Sequence, residues 1–183
     1  KLPSASLPSP QTVEFDSSVT IASALTLTGY TFEYWSTSPL GESAGNRYEA
    51  NQPYTNLLTP TSDGTSITLY AIWQIQNFDL TVTIAGGEDV GIASITINRV
   101  GEGDIETQIG SVTAEQGSVT INDIDFGTRI ELTYTLTDGY SFRAWGTDVS
   151  GVTIGNTNTF NMPARNMTVT GYGQPIQYQV IYN

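Results

Sequence analysis

The sequence contains no cysteine and no histidine, and its only lysine is Lys1. Without cysteine there is neither a disulfide nor a thiolate metal site. Without histidine the chain lacks the commonest general base and the commonest metal ligand, and its serines have no partner for a Ser-His-Asp triad. An internal lysine–asparagine cross-link also requires a core lysine, which a terminal Lys1 does not provide.

Basic side chains are scarce as well. Six Lys and Arg residues stand against 18 Asp and Glu residues, which gives a net charge of −12 at pH 7. A surface of this kind repels nucleic acid and anionic lipid, because binding to either needs basic side chains. The sequence also has no run of about 18 apolar residues that would span a bilayer. We therefore expect no nucleic-acid partner and no direct membrane insertion.

The composition favours strands over helices. Charged residues make up only 13% of the chain, whereas Val, Ile, Thr, Tyr and Phe are abundant. β-branched and aromatic residues are typical of strands. Apolar and polar residues alternate in 11–15, 66–73, 78–84, 129–136 and 177–182. These patterns predict a mainly β protein with little or no helix, and the Ser-, Gly- and Asn-rich segment 36–65 is predicted to be a long loop.

One seven-residue phrase occurs twice, at 29–35 and at 139–145. Four residues hold identical places in the two copies: Gly29, Tyr30, Phe32 and Trp35, and then Gly139, Tyr140, Phe142 and Trp145. The glycine permits the positive φ of a turn, and the aromatic residues after it predict a strand. Simple alternation would place Phe32 on one face of that strand and Trp35 on the other. The repeat predicts two related β units.

The first copy and the strand that closes its unit resemble a known family. Gly29-Tyr30-Thr31-Phe32-Glu33-Tyr34-Trp35, followed by Thr68-Leu69-Tyr70-Ala71-Ile72-Trp73, is similar to the signature of the internalin-type B repeat, also called the Listeria–Bacteroides repeat or InlB B-repeat. The resemblance covers 11–73, and 78–173 resembles a divergent form of the repeat. It implies two tandem β-grasp-like modules in a bacterial protein that is secreted or anchored in the cell wall, and hence an extracellular location.

The resemblance also sets the expected domain boundaries. We place one module at 1–76, a second at 77–174, and the first strand of a following repeat at 175–183. The family's opening strand reads Tyr-x-Val-x-Tyr/Phe-Asp/Asn; the first module lacks it, and the pattern occurs at 178–183 instead.

The missing opening strand leads to a hypothesis of strand exchange. Because an unpaired strand edge accepts a foreign strand, 177–182 is a candidate to pair beside 67–73, in the same chain or in a neighbouring molecule. The alternative is that 177–182 is frayed or extends the sheet of its own unit.

Two pairs of carboxylates, Glu88/Asp89 and Asp123/Asp125, are candidates for chemistry. A glycosidase needs two carboxyl groups about 5–10 Å apart, but both pairs lie in turn-like contexts, where acidic residues serve the backbone. Calcium is a second hypothesis for the glycine- and acid-rich turns at 86–89 and 101–104, which lack the ligand spacing of a calcium-binding loop. We therefore predict no catalytic residue, no cofactor and no metal site.

Aromatic side chains are the remaining candidates for binding. Trp35, Trp73 and Trp145 lie in signature strands and are assigned to the cores. Tyr48 and Tyr54 lie in the predicted loop and are candidates for ligand contact, because flat rings stack on sugars and loops carry function.

The leading hypothesis is a non-catalytic repeat segment of a bacterial cell-surface protein that acts as a spacer or stalk and contributes to adhesion. Its expected partners are neighbouring repeats and a host-surface protein or glycan. The alternative is a carbohydrate- or protein-binding module that uses the loop 36–65.

Overall fold

The computed structural model describes residues 6–58, 64–86 and 91–182. The chain divides into two compact units, Lys1–Ile75 and Gln76–Asn183. Within the described ranges the helical segments are two short 3-10 turns, and the remaining regular structure is strand. The prediction of a mainly β fold is therefore confirmed, whereas its finer part, a β-grasp-like arrangement, is not confirmed.

The described part of the first unit contains five strands in two sheets. They are β1 Ser18–Thr20, β2 Tyr30–Ser36, β3 Arg47–Tyr48, β4 Pro53–Thr55 and β5 Tyr70–Ile75, with a 3-10 turn at Gly41–Ser43 between β2 and β3. β1 pairs with β4, and β2 lies between β3 and β5 in a sheet whose pairs are all antiparallel. β5 is consequently an edge strand of that sheet.

A small aromatic core stabilises the first unit. Ile21, Trp35 and Tyr48 are buried there, and half-buried apolar side chains pack around them. Trp35 is opposite Tyr48 on β3 and opposite Ala71 on β5, so it joins both neighbours of the central strand. Large aromatic rings bury much apolar area per residue, which explains how a cluster of so few buried residues can organise the unit.

In the second unit, the residues that the structure describes form eight strands in two four-stranded sheets. They are β6 Asn77–Ile84, β7 Ile92–Val100, β8 Glu106–Thr113, β9 Ser118–Asp125, β10 Arg129–Leu136, β11 Tyr140–Thr147, β12 Thr159–Asn161 and β13 Met167–Pro175, with a 3-10 turn at Glu102–Asp104. The sheet orders are β12-β10-β7-β8 and β11-β13-β6-β9. All the pairs are antiparallel except β6 with β13, which is parallel.

The core of the second unit draws side chains from both sheets. Leu80 and Val82 of β6 and Ile95 and Ile97 of β7 are fully buried in one cluster. They occupy alternate positions, as expected for strands that bury one face. Each such side chain stabilises the fold by about 1.5–3 kcal/mol relative to an exposed position, so the second unit has the larger hydrophobic contribution to folding.

The repeated phrase contains a β-bulge that simple alternation does not predict. The pairing of β2 with β5 shifts register between Phe32 and Tyr34, which leaves Glu33 as an extra residue. A bulge reverses the faces of the residues that follow it. The expectation that Phe32 and Trp35 face opposite sides is therefore wrong, because their ring centroids lie 5.5 Å apart in one core.

The second copy of the phrase repeats this bulge. The pairing of β11 with β13 shifts register between Phe142 and Ala144, so Arg143 is the extra residue. The Phe142 and Trp145 rings then meet with their centroids 5.1 Å apart. The sequence repeat thus encodes a repeated irregularity of the backbone as well as a repeated strand.

Several other segments differ from expectation. No strand forms at 11–15, where Val13 and Phe15 are exposed, because an alternating pattern yields a strand only where another strand pairs with it. The predicted loop 36–65 contains β3, β4 and a 3-10 turn in its described part. The segment 177–182 forms no strand, so its pairing stays a prediction, and Glu88 and Asp89 lie outside the described residues.

Glycine at position 171 is required by close packing, and its replacement tests the core of the second unit. A Cβ atom there would lie 2.9 Å from side-chain carbons of Ile92 and Trp145. We expect Gly171→Ala to lower the free energy of unfolding of the second unit by about 1–3 kcal/mol, the usual cost of overpacking. Urea unfolding followed by circular dichroism measures this change.

A matched control is Gly155→Ala, since a Cβ atom at position 155 meets nothing within 4 Å. Its effect is expected to stay within about 0.5 kcal/mol, as for an ordinary surface substitution. Equal effects of the two substitutions would contradict the packing argument.

Candidate functional site

The signature tryptophans lie in two different cores. Trp35 is 3% exposed in the core of the first unit, and its indole N–H donates to the Ala22 carbonyl at 3.0 Å. Trp145 packs against the core of the second unit, and its indole N–H donates to Asn158 Oδ1 at 2.9 Å. Asn158 gives no signal in the sequence, because it lies outside both copies of the phrase.

The glycine that begins each phrase forms a tight turn. Gly29 has a φ of 78° and Gly139 a φ of 83°, values that favour glycine. In both copies the amide of the following tyrosine donates to the carbonyl two residues before the glycine, at 3.1 Å. Tyr30 and Tyr140 are half-buried and begin their strands, so these signature residues have a structural role.

The third tryptophan distinguishes the two units. Trp73 is half-buried and meets Phe32 edge to face, with ring centroids 5.6 Å apart. In the second unit Gly173 is opposite Phe142, which instead stacks on Tyr134 with ring centroids 4.3 Å apart. The ring that packs against the phenylalanine of the phrase thus belongs to the closing strand in the first unit and to β10 in the second. The alternating pattern of 129–136 does not indicate this contact.

The two tyrosines proposed for ligand contact belong to the core of the first unit. Tyr48 is 8% exposed, and Tyr54 is half-buried and meets it edge to face, with ring centroids 5.0 Å apart. The Tyr54 hydroxyl accepts a hydrogen bond from the Glu49 N–H at 3.0 Å. Because the protein itself engages both rings, the geometry gives no support to ligand contact, which stays a prediction.

A cluster of exposed charges lies beside Tyr34 of β2. Arg47 forms ion pairs with Glu49 and with Glu42, and its guanidinium carbon lies 4.2 Å from the centroid of the Tyr34 ring. The hydrogen bond to Glu49 is the largest cause of a raised pKa of Arg47. Since these side chains are about half exposed, solvent screening leaves the pairs a small stabilising role.

The acidic residues Asp123 and Asp125 lie in the last part of β9. Asp123 has a φ of 57° at a register shift between β6 and β9, and its N–H donates to Asp79 Oδ1 at 3.3 Å. Asp125 ends β9. In the part of the chain that the structure describes, no three acidic, cysteine or histidine side chains come together as cation ligands.

Asp148 connects the segment after β11 to β13. The Thr168 N–H donates to its carboxylate at 2.7 Å, which lowers the pKa of Asp148 below the ordinary value of 3.8. Because the pKa is lowered on folding, the carboxylate stabilises the second unit at pH values above 3.8. That contribution is lost as the pH falls through the pKa of the folded state.

Asp148→Asn tests this contact, because asparagine keeps an acceptor but does not titrate. We expect the second unit of the unsubstituted chain to lose more stability than that of the variant between neutral pH and about pH 3. Urea midpoints measured across this range provide the comparison. Parallel pH profiles for the two chains would show that the hydrogen bond does not depend on charge.

Tyr48→Ala tests whether the loop tyrosine is structural. Removing a buried ring is expected to lower the free energy of unfolding of the first unit by about 3–5 kcal/mol. Tyr70→Ala is the matched control, since Tyr70 is exposed, and its effect is expected to stay near about 0.5 kcal/mol. Unchanged stability of the Tyr48→Ala chain, together with loss of glycan binding, would make Tyr48 a ligand contact instead.

The comparisons with known proteins place both units in repeat families. Residues 4–72 match the family described as Listeria-Bacteroides repeat domain, and residues 105–174 match the family described as Divergent InlB B-repeat domain. No curated protein matches the chain. None of the helical segments in the described ranges is long and apolar enough to cross a membrane.

Each matched segment contains one copy of the repeated phrase, its bulge and at least half of the strand that closes the unit. These repeat families are typical of bacterial surface proteins. The chain therefore contains a Listeria-Bacteroides repeat, matched over residues 4–72, followed by a divergent InlB B-repeat, matched over residues 105–174.

Proposed function

We propose that the chain is a non-catalytic segment of a bacterial cell-surface protein, located outside the cell, in which the two units act as a spacer or stalk. In this role the two units lie between neighbouring repeats of the parent protein. They hold another part of that protein away from the cell. A contribution to adhesion follows from that position, because the part held outward meets the host-surface protein or glycan first.

The observation that carries this proposal is the separate enclosure of the aromatic rings. Trp35 and its neighbours form one cluster, and the side chains around Trp145 form another. Rings packed in this way stabilise their own unit and leave little flat surface for stacking on a ligand. A unit whose core is complete can be repeated along a chain to supply length.

The ionisable groups also support a non-catalytic role. Active sites often hold groups whose pKa is strongly shifted by burial and by specific neighbours. Among the described residues the two shifted groups, Arg47 and Asp148, are each explained by exposed hydrogen bonds that organise local structure.

Force spectroscopy of the whole chain, held at its two ends, tests the stalk proposal. We expect two separate unfolding steps, because each unit has its own core. The steps should approach the extended lengths of Lys1–Ile75 and Gln76–Asn183, about 250 Å and about 360 Å at roughly 3.3 Å per residue.

A matched pair of variants identifies the steps. Trp35→Ala should lower the force of the shorter step alone, and Trp145→Ala should lower the force of the longer step alone. A single step, or a change of both steps by either variant, would contradict independent units. Retention of the chain on a glycan array, abolished by a substitution at Arg47, would instead favour the binding module that uses the loop 36–65.

A further inference from the structure

The two closing strands hold equivalent positions but begin at different points. Trp35 is opposite Ala71 on β5, and Trp145 is opposite Gly171 on β13. Counting back from these residues, Ile67 corresponds to Met167. β13 begins at that residue, whereas no strand is assigned to 65–69 and β5 begins only at Tyr70.

The additional length of β13 has a visible cause. Met167 to Gly171 pair in parallel with Leu80 to Ile84 of β6, along the edge of β13 that faces away from β11. β5 pairs with β2 on one side, and no described strand occupies its other side. The described residues of the first unit thus include no counterpart of the parallel strand that extends β13 in the second unit.

The burial of equivalent side chains differs accordingly. Met167 and Val169 are buried in the core of the second unit. Their counterparts in the first unit, Ile67 and Leu69, are only half-buried. A parallel strand at this edge would cover both side chains, as β6 covers the equivalent pair.

The chain carries a segment with the right chemistry to be that strand. The tail residues after the second closing strand match those after the first, counted in sequence positions. Tyr178, Val180 and Tyr182 take the places of Phe78, Leu80 and Val82. Residues 176–182 form no strand, and the three side chains are 86%, 63% and 89% exposed. An apolar segment this exposed normally marks a contact surface.

We propose that the tail 176–182 of one molecule adds, as a parallel strand, beside the segment 66–69 that leads into β5 in a second copy of the chain. The register follows from the second unit, where Met167 is opposite Leu80 and Val169 is opposite Val82. Val180 therefore lies opposite Ile67 of the partner, and Tyr182 lies opposite Leu69.

The occupant is a second copy because the chain itself contains the matching segment, which has no strand partner among the described residues. Neither 66–75 nor 176–182 contains a charged residue, so the net charge of −12 does not oppose the contact locally. Main-chain hydrogen bonds supply affinity in strand addition, and alternate side chains supply the register. Strand exchange is independent of the stalk role, which a monomer can also perform.

Two tail substitutions that add the same charge test which face of the tail is buried against the partner and in which register the tail pairs. Val180 faces the partner's core in the proposed strand, whereas Ile181 corresponds to Thr81 and faces the other way. We expect the unsubstituted chain and the Ile181→Asp chain to self-associate with the same concentration dependence in sedimentation velocity. The Val180→Asp chain should remain monomeric, because a carboxylate would be buried among apolar side chains.

Hydrogen exchange locates the contact. The amides of 66–69 should be protected at high concentration of the unsubstituted chain and lose that protection on dilution. A peptide with the sequence of 176–182 should restore the protection in the Val180→Asp chain, and the same peptide with aspartate at position 180 should not. Since the substitutions lie in an exposed tail, unchanged melting curves confirm that both units remain folded.

Three outcomes would overturn the proposal. The first is a chain that stays monomeric throughout. The second is equal self-association of the Val180→Asp and Ile181→Asp chains, which would exclude the proposed face. The third is protection of 66–69 that does not change on dilution, which would mean that the tail of the same molecule fills the edge.

Discussion

The β-bulge within the repeated phrase is the constraint on which both units depend. In an unbroken strand, a phenylalanine and a tryptophan three residues apart face opposite sides. The extra residue, Glu33 or Arg143, brings the two rings onto one face, where they contact each other and the core. The same bulge leaves Glu33 and Arg143 exposed. One short segment therefore defines the inner and outer surfaces of each unit.

The sequence was sufficient for the class of fold and for the family, since both depend on local patterns. Alternation in 78–84 and 129–136 identified β6 and β10 closely. The bulge was missed because its position depends on the register with a distant strand. β3 and β4 were missed because strands of two or three residues have no pattern of their own, and Tyr48 is held by its place opposite Trp35. In 11–15 the pattern was present but a pairing strand was not.

The same limit applies to the candidate site. A tyrosine in a polar, glycine-rich segment gives no sign of whether its ring points into a core, so Tyr48 and Tyr54 looked available from the sequence and are engaged in the structure. The ion pairs around Arg47 join residues whose spacing has no periodic meaning. The lack of cysteine and histidine is of a different kind, because composition does not depend on tertiary structure.

The small residue opposite each signature tryptophan limits how such repeats can evolve. Ala71 fits opposite Trp35, but a methyl group at the equivalent Gly171 would come within 2.9 Å of Trp145 and of Ile92. Genetic recombination that moved only the last strand from one repeat to the next would combine a side chain with the wrong interior. Transfer of a whole repeat avoids this close approach, because the closing strand then moves together with the tryptophan against which it packs.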